Sequence, residues 1–261
     1  MRIVIVLLLV MLSAGLAPAQ SRNSVSLEPI KQLRKGVDAW PLIDQPSTPA
    51  ERSVNSILSR LNERTAKSLK DCDGRYRDWA KLVGQPLTGR NGMESDLERT
   101  ITVTMTGPRF LSIVAVDSFV FCGGAHPDND TLAMVFDLTT GKQVNWTTLI
   151  AKSAGGSSYS DSIWDGTSVG ALIVPALRAI TIAHSNEDCK DAFPSPQPYQ
   201  LWPDAKSGTL TAEPFDLPHV VAACADDLHL TPDQARKLGF NQVLLNAIGQ
   251  AHRHLSAGLS R

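Results

Sequence analysis

Arg109-Phe-Leu-Ser-Ile-Val-Ala-Val-Asp-Ser-Phe-Val-Phe121, followed by Cys122-Gly-Gly-Ala-His-Pro-Asp-Asn-Asp130 and Thr131-Leu-Ala-Met-Val-Phe-Asp-Leu138, is the stretch that decides the fold. Two long apolar runs joined by a short polar loop read as neighbouring antiparallel strands, the first of them central and bent near Asp117-Ser118. Gly123 and Gly124 tolerate backbone angles that a Cβ resists, so they turn the chain tightly or bring it close to a neighbour. Cys122 is placed to pin that turn. His126 then projects with Pro127 behind it, and Asp128 and Asp130 follow at alternate positions. Gly123, Gly124, His126, Asp128 and Asp130 are therefore the candidate ligand contacts.

Working outward, Ile101, Val103 and Met105 alternate with threonines as a half-buried strand that turns at Gly107-Pro108. Beyond the central runs, Thr139-Thr-Gly-Lys142 turns the chain into Gln143-Val144. Residues 101–146 form the core of an antiparallel sheet. Upstream, Thr48-Pro-Ala-Glu51 is a capping box, and Val54, Ile57, Leu58, Leu61 and Leu69 mark an amphipathic helix predicted to stop at Asp73-Gly74. A weaker helical piece follows through Trp79, Leu82 and Val83, and 84–98 reads as a loop. Residues 20–47 are an extended arm docked by Trp40.

Downstream, Ala151–Gly166 has no period and reads as a loop. Pro175 places a helix start near Val174. Tyr199-Gln-Leu-Trp202 and Thr209-Leu-Thr211 read as a hairpin, and His219–Cys224 as a last strand. Thr231-Pro-Asp-Gln234 repeats the capping device before a short helix closed by Gly239. A final helix carries Val243, Leu244 and Ile248 on one face, and 251–261 is a frayed tail. The fold class is α+β: one antiparallel sheet packed against helices, residues 48–250 forming the body, either as one unit or as two lobes meeting near 121–130.

Met1-Arg2, the apolar run Ile3–Leu12 and Ala17-Pro-Ala19 have the layout of a secretory signal, with cleavage expected after Ala19. The apolar core is shorter than the roughly 20 residues a membrane span needs. The expected location is periplasmic or secreted. The formal net charge is −1 and shifts by one unit on removal of Arg2, so neither nucleic acid nor an anionic membrane surface is a predicted partner. Four cysteines in an exported chain read as two disulfides, Cys72 with Cys122 and Cys189 with Cys224, each contributing on the order of 4 kcal/mol.

The same central residues carry a resemblance. Phe121, Gly123, Gly124, Ala125 and His126, then Phe136-Asp-Leu-Thr-Thr-Gly-Lys142 and Leu149-Ile150, resemble a family of exported bacterial domains of unknown function with a Tyr/Phe-x-Gly-Gly-Ala-His motif. That family includes the ectodomain of a lysozyme-sensing anti-sigma factor and the non-catalytic N-terminal region of a peptidoglycan deacetylase. The resemblance implies an α+β envelope domain. It carries over no binding residue one to one.

For chemistry, His126 has Asp117, Asp128 or Asp130 as orienting partners if it acts as a base, and otherwise locks its own loop. Asp128-Asn-Asp130 lacks the glycine and glutamate of a calcium loop. No Cys-x-x-Cys, His-Glu-x-x-His or Gly-x-Ser-x-Gly occurs, so no metal, cofactor or serine nucleophile is called for. His184, His219, His229, His252 and His254 read as surface or capping residues. Trp40, Trp146, Trp164 and Trp202 read as core before sugar platforms. The expected function is non-enzymatic binding or sensing of a cell-envelope ligand, a glycan or an exported protein such as lysozyme. The alternative is a hydrolase acting on envelope polymer through the His126 loop.

Overall fold

A computed structural model describes residues 24–83, 97–119, 128–163, 165–217, 219–224 and 226–258. The first sheet contains β1 (Gln32–Arg34), β2 (Val37–Asp38), β3 (Glu98–Thr106), β4 (Phe110–Phe119), β5 (Asp128–Asp137) and β6 (Lys142–Gln143), in that spatial order. Its pairings are antiparallel except for β2 with β3. The central hairpin is the expected one: Ile113 faces Met134 and Asp117 faces Asp130 across β4 and β5.

Both faces of this sheet are covered, which is why β4 reads as a nearly unbroken apolar run. On one face Ile101, Leu111, Ile113, Ala115, Leu132, Met134 and Phe136 pack against Val54, Leu58 and Leu61 of α1 (Pro49–Val83) and against Trp40 and Ile43 of the arm. On the other, Met105, Phe110, Val114, Ala133 and Val135 meet a second sheet. That sheet is formed by β7 (Ser157–Ser162), β8 (Ser168–Ile173), β9 (Pro198–Asp204), β10 (Thr209–Pro214) and β11 (Leu228–Leu230), ordered β11-β10-β9-β8-β7 and antiparallel throughout. Helices α2 (Pro175–His184), α3 (Pro232–Lys237) and α4 (Gln242–Gly258) complete the body.

The single sheet expected from the sequence is thus two. Residues 157–162, read as loop, are a strand because their backbone pairs with β8 along its whole length while most of their polar side chains stay in solvent. His219–Cys224 is a 3-10 helix, and the last strand is β11. The arm contributes β1 and β2 in place of staying irregular.

Helix α1 does not stop at Gly74. Leu69 and Cys72 are buried, and the helix continues through Gly74 as one element of 35 residues, about 52 Å at 1.5 Å per residue. Its start is the predicted capping box: Glu51 N–H donates to Thr48 Oγ1 at 3.0 Å and Thr48 N–H to Glu51 Oε2 at 3.3 Å. Asn55 and Asn62, seven residues apart and so on one helix face, clamp the arm. The Asn62 amide exchanges bonds with the Trp40 backbone (2.8 and 3.0 Å) and the Asn55 amide with that of Ile43 (2.7 and 2.9 Å).

The second capping box is also present, with Gln234 N–H on Thr231 Oγ1 and Gln234 Oε1 accepting from Thr231 N–H. Helix α2 begins at Pro175, as predicted. On α4 the buried residues include Leu244, Leu245 and Ile248, whereas Val243 is exposed, and the helix runs on to Gly258.

A charged cluster lies under α1. Arg99, 2% exposed, grips both oxygens of Asp117 from Nε (2.7 Å) and Nη2 (2.6 Å), reaches Thr65 Oγ1 from Nη1 (3.1 Å) and stacks over Trp40. Thr65 in turn donates to Asp165 (2.8 Å). Charge-assisted bonds from Arg99 hold β4 and α1 and a cation–π contact holds the arm, and removing either Arg99 or Asp117 alone would strand a buried charge at a cost of about 3–5 kcal/mol.

Among the described residues one disulfide joins Cys189 to Cys224. Cys122, the expected partner of Cys72, lies outside the described residues. No helix of the described residues is long and apolar enough to cross a membrane.

Candidate functional site

Strand alternation divides the start of β5 between the two faces. Leu132 and Met134 face α1, so Asp130, opposite Asp117, belongs to that side. Thr131 and Ala133 face the second sheet, where two neighbouring side chains meet them. Gln200 on β9 and Glu213 on β10 are register partners. The Gln200 amide, 1% exposed, accepts from Ala133 N–H at 2.7 Å and donates to the Thr131 carbonyl. Backbone pairing on this edge of β5 reaches only from Asp137 to Val135, whose carbonyl accepts from Val144 N–H, so the Gln200 amide supplies the pairing that a longer β6 would have given.

Glu213 Oε1 accepts from Thr131 Oγ1 at 3.0 Å. Its other oxygen is buried without a hydrogen bond. Burial, with the negative charge of Asp227 adding to it, pushes the Glu213 carboxyl up to about 8, against the pull of the Thr131 bond. Asp227 is itself raised, by desolvation first and by Asp226, with the nearby His229 opposing. Glu213 therefore holds its proton near neutral pH, next to a carboxyl that shares its charge problem.

Asp227 and His229 also line a cleft of about 210 Å³ between α2, β11 and α3, together with Thr181, His184 and Asp226. His184 Nδ1 lies 2.8 Å from the Ile180 carbonyl, which only accepts, so Nδ1 carries a proton. His229 rests its Nδ1 3.2 Å from Thr211 Oγ1. The Cys189–Cys224 bridge joins the 3-10 helix Glu187–Ala192, which follows α2, to the one that precedes Asp226. The acids Glu187, Asp188, Asp191, Asp226 and Asp227 are exposed around this bridge. The negative charge suits cationic groups and hydrogen-bond donors. Ser185 Oγ is bound to the Thr181 carbonyl (2.8 Å), so it is not held against a base. Among the described residues no three His, Cys, Asp or Glu side chains are gathered to hold a metal ion.

No family model matches this chain, and no curated protein matches its sequence.

Of the candidates read from the sequence, Gly123, Gly124 and His126 lie outside the described residues, as does Cys122. Asp128 opens β5 opposite Phe119, and Asp130 stands half-buried opposite Asp117, whose oxygens are both engaged by Arg99. The aspartate at 130 is thus separated from Glu213 by the sheet itself. Trp40, Trp146 and Trp202 are core residues, as expected. Gln200, Glu213 and Asp227 carry no motif in the sequence, whereas His184 and His229, expected at the surface or at caps, are indeed exposed and line the cleft. The signal available was a single acid at 213 in the strand Thr209-Leu-Thr-Ala-Glu-Pro214, and an Asp-Asp pair two residues after a cysteine.

Proposed function

We propose that this chain is an exported, non-enzymatic binding or sensing domain of the cell envelope, with a glycan or an exported protein of the lysozyme class as ligand. The observation that carries this reading is the disulfide-pinned acidic cleft. A Cys189–Cys224 bridge belongs in an oxidising compartment, and it steadies a surface bearing Glu187, Asp188, Asp191, Asp226 and Asp227. Such a surface favours a partner rich in lysine and arginine. The burial of Trp40, Trp146 and Trp202 takes three stacking platforms away from the glycan. Membership of the Gly-Gly-Ala-His family, a second bridge between buried Cys72 and Cys122, and a ligand contact by the Gly123–Asp130 loop belong to the same proposal.

The test is binding of the mature, oxidised chain to a basic lysozyme and, separately, to purified peptidoglycan sacculi, beside Asp226→Asn/Asp227→Asn and His126→Ala variants of matched thermal stability. Binding lost in the double variant supports the cleft, and binding lost in the histidine variant supports the loop. Failure of the wild type to bind either probe refutes the proposal.

A second reading, hydrolysis of envelope polymer, draws on Glu213, since a carboxyl held protonated beside another is the state a general acid needs. Release of soluble fragments from sacculi, abolished by Glu213→Gln, would decide for it.

A further inference from the structure

Helices α3 and α4 enclose a groove of about 440 Å³ that is separate from the acidic cleft. Gln242, Asn246, Gly249 and Arg253 line it at steps of four, three and four residues, one stripe along α4, and Arg236 enters from α3. Leu245, 3% exposed, lies at its base. Gly249 leaves the middle of the stripe bare, and a Cβ there would stand 3.4 Å from Arg253 Nη1, so the guanidinium lies over the backbone at that position.

The hydrogen bonds in this groove run in one direction. Asp233 accepts from Arg236 Nη1 at 2.5 Å, Gln242 Oε1 from Arg236 Nε at 3.4 Å, and Asn246 Oδ1 from Gln242 Nε2 at 2.6 Å. Gln242 Oε1, Asn246 Oδ1 and Asp233 Oδ1 are engaged within that chain, while the Gln250 amide also lines the groove. The donors left over are Arg236 Nη2, the Asn246 amide nitrogen and the whole Arg253 guanidinium, which has no hydrogen-bond or ion-pair partner among the described residues.

We infer that this groove is an anion site that takes a small carboxylate-bearing ligand. The Arg253 guanidinium offers paired N–H donors whose spacing matches a planar carboxylate, Arg236 Nη2 and the Asn246 amide add single donors, and the bare, apolar floor at Gly249 and Leu245 accepts the ligand's carbon frame. The volume suits a molecule the size of a monosaccharide or a dipeptide. The carboxylate is the shared chemistry of an acidic sugar and an acidic peptide, and the site stands independently of the envelope-binding reading.

The test is an NMR titration of the full mature chain, following the Gly249 and Asn246 amides, with N-acetylmuramic acid, its neutral counterpart N-acetylglucosamine, and glutarate. Saturable shifts are expected with at least one of the two carboxylates and none with the neutral sugar. Arg253→Gln should weaken binding about tenfold or more, as loss of a charge-assisted pair requires, while Asp226→Asn leaves it unchanged. A preference for N-acetylmuramic acid assigns the ligand to acidic sugars, and equal binding of glutarate assigns it to acidic peptides. Absence of saturation with both carboxylates, equal affinity in Arg253→Gln, or equal binding of N-acetylglucosamine overturns the inference.

Discussion

Replacing Gln200 by methionine keeps the length and volume of the side chain and removes both of its bonds to β5. Ala133 N–H and the Thr131 carbonyl then face an apolar interior without partners. A buried backbone group left unpaired costs about 1–3 kcal/mol, so two of them predict a loss of roughly 2–6 kcal/mol. That is a large part of the 5–15 kcal/mol typical of a folded domain. Urea unfolding of the oxidised protein measures the loss, and amide exchange at Ala133 locates it. The Ala133 amide should exchange by local opening in the variant, ahead of the amides of β4. A loss under about 1 kcal/mol with Ala133 still protected would refute the idea that a side-chain amide substitutes for a missing strand.

Glu213 predicts a pH dependence. Its carboxyl is raised from 4.5 to about 8, so the folded state holds a proton that the unfolded state releases. The stabilisation is complete below about 4.5 and is lost as pH rises towards 8, with an upper bound of about 5 kcal/mol from the size of the shift. Glu213→Gln should therefore gain on the wild type in urea titrations as pH rises from 5 to 8, and a constant difference would contradict the assignment. Cys189→Ser/Cys224→Ser should lose about 3–4 kcal/mol under non-reducing conditions, read from the urea midpoint, because the bridge closes a separation of 35 residues.

The parts of the fold that were legible in the sequence are those where one local rule governs. Thr48-Glu51 and Thr231-Gln234 sit three residues apart with proline between, and both cap helices. Met134 and Ile113 lie in runs too long and too apolar for anything but a central hairpin. The rest depends on distant partners. Residues 157–162 have no hydrophobic period, because most of their side chains stay in solvent and only their backbone is used. Gly74 terminates a helix in isolation, at about 1 kcal/mol against alanine, but the buried Leu69 and Cys72 hold the helix on course. His219–Cys224 is apolar enough for a strand, yet a short apolar run does not distinguish a strand from a helical turn. The site was less legible still. Glu213 keeps its proton because of burial and the nearby charge of Asp227, and its hydrogen-bond partner Thr131 lies 82 residues away in the chain, so no local pattern reports that meeting.

The bridge between Cys189 and Cys224 also changes how the molecule answers a pulling force. Tension applied at the two ends passes from one cysteine to the other through the sulfur atoms, so the enclosed segment, which includes β9 and β10, carries none of the load. At 3.3–3.6 Å per extended residue, a separation of 35 hides about 120 Å of contour length until the bond is reduced. A protein tethered at one end and seized at the other would yield at the first sheet and α1 while the segment behind the bridge stayed slack.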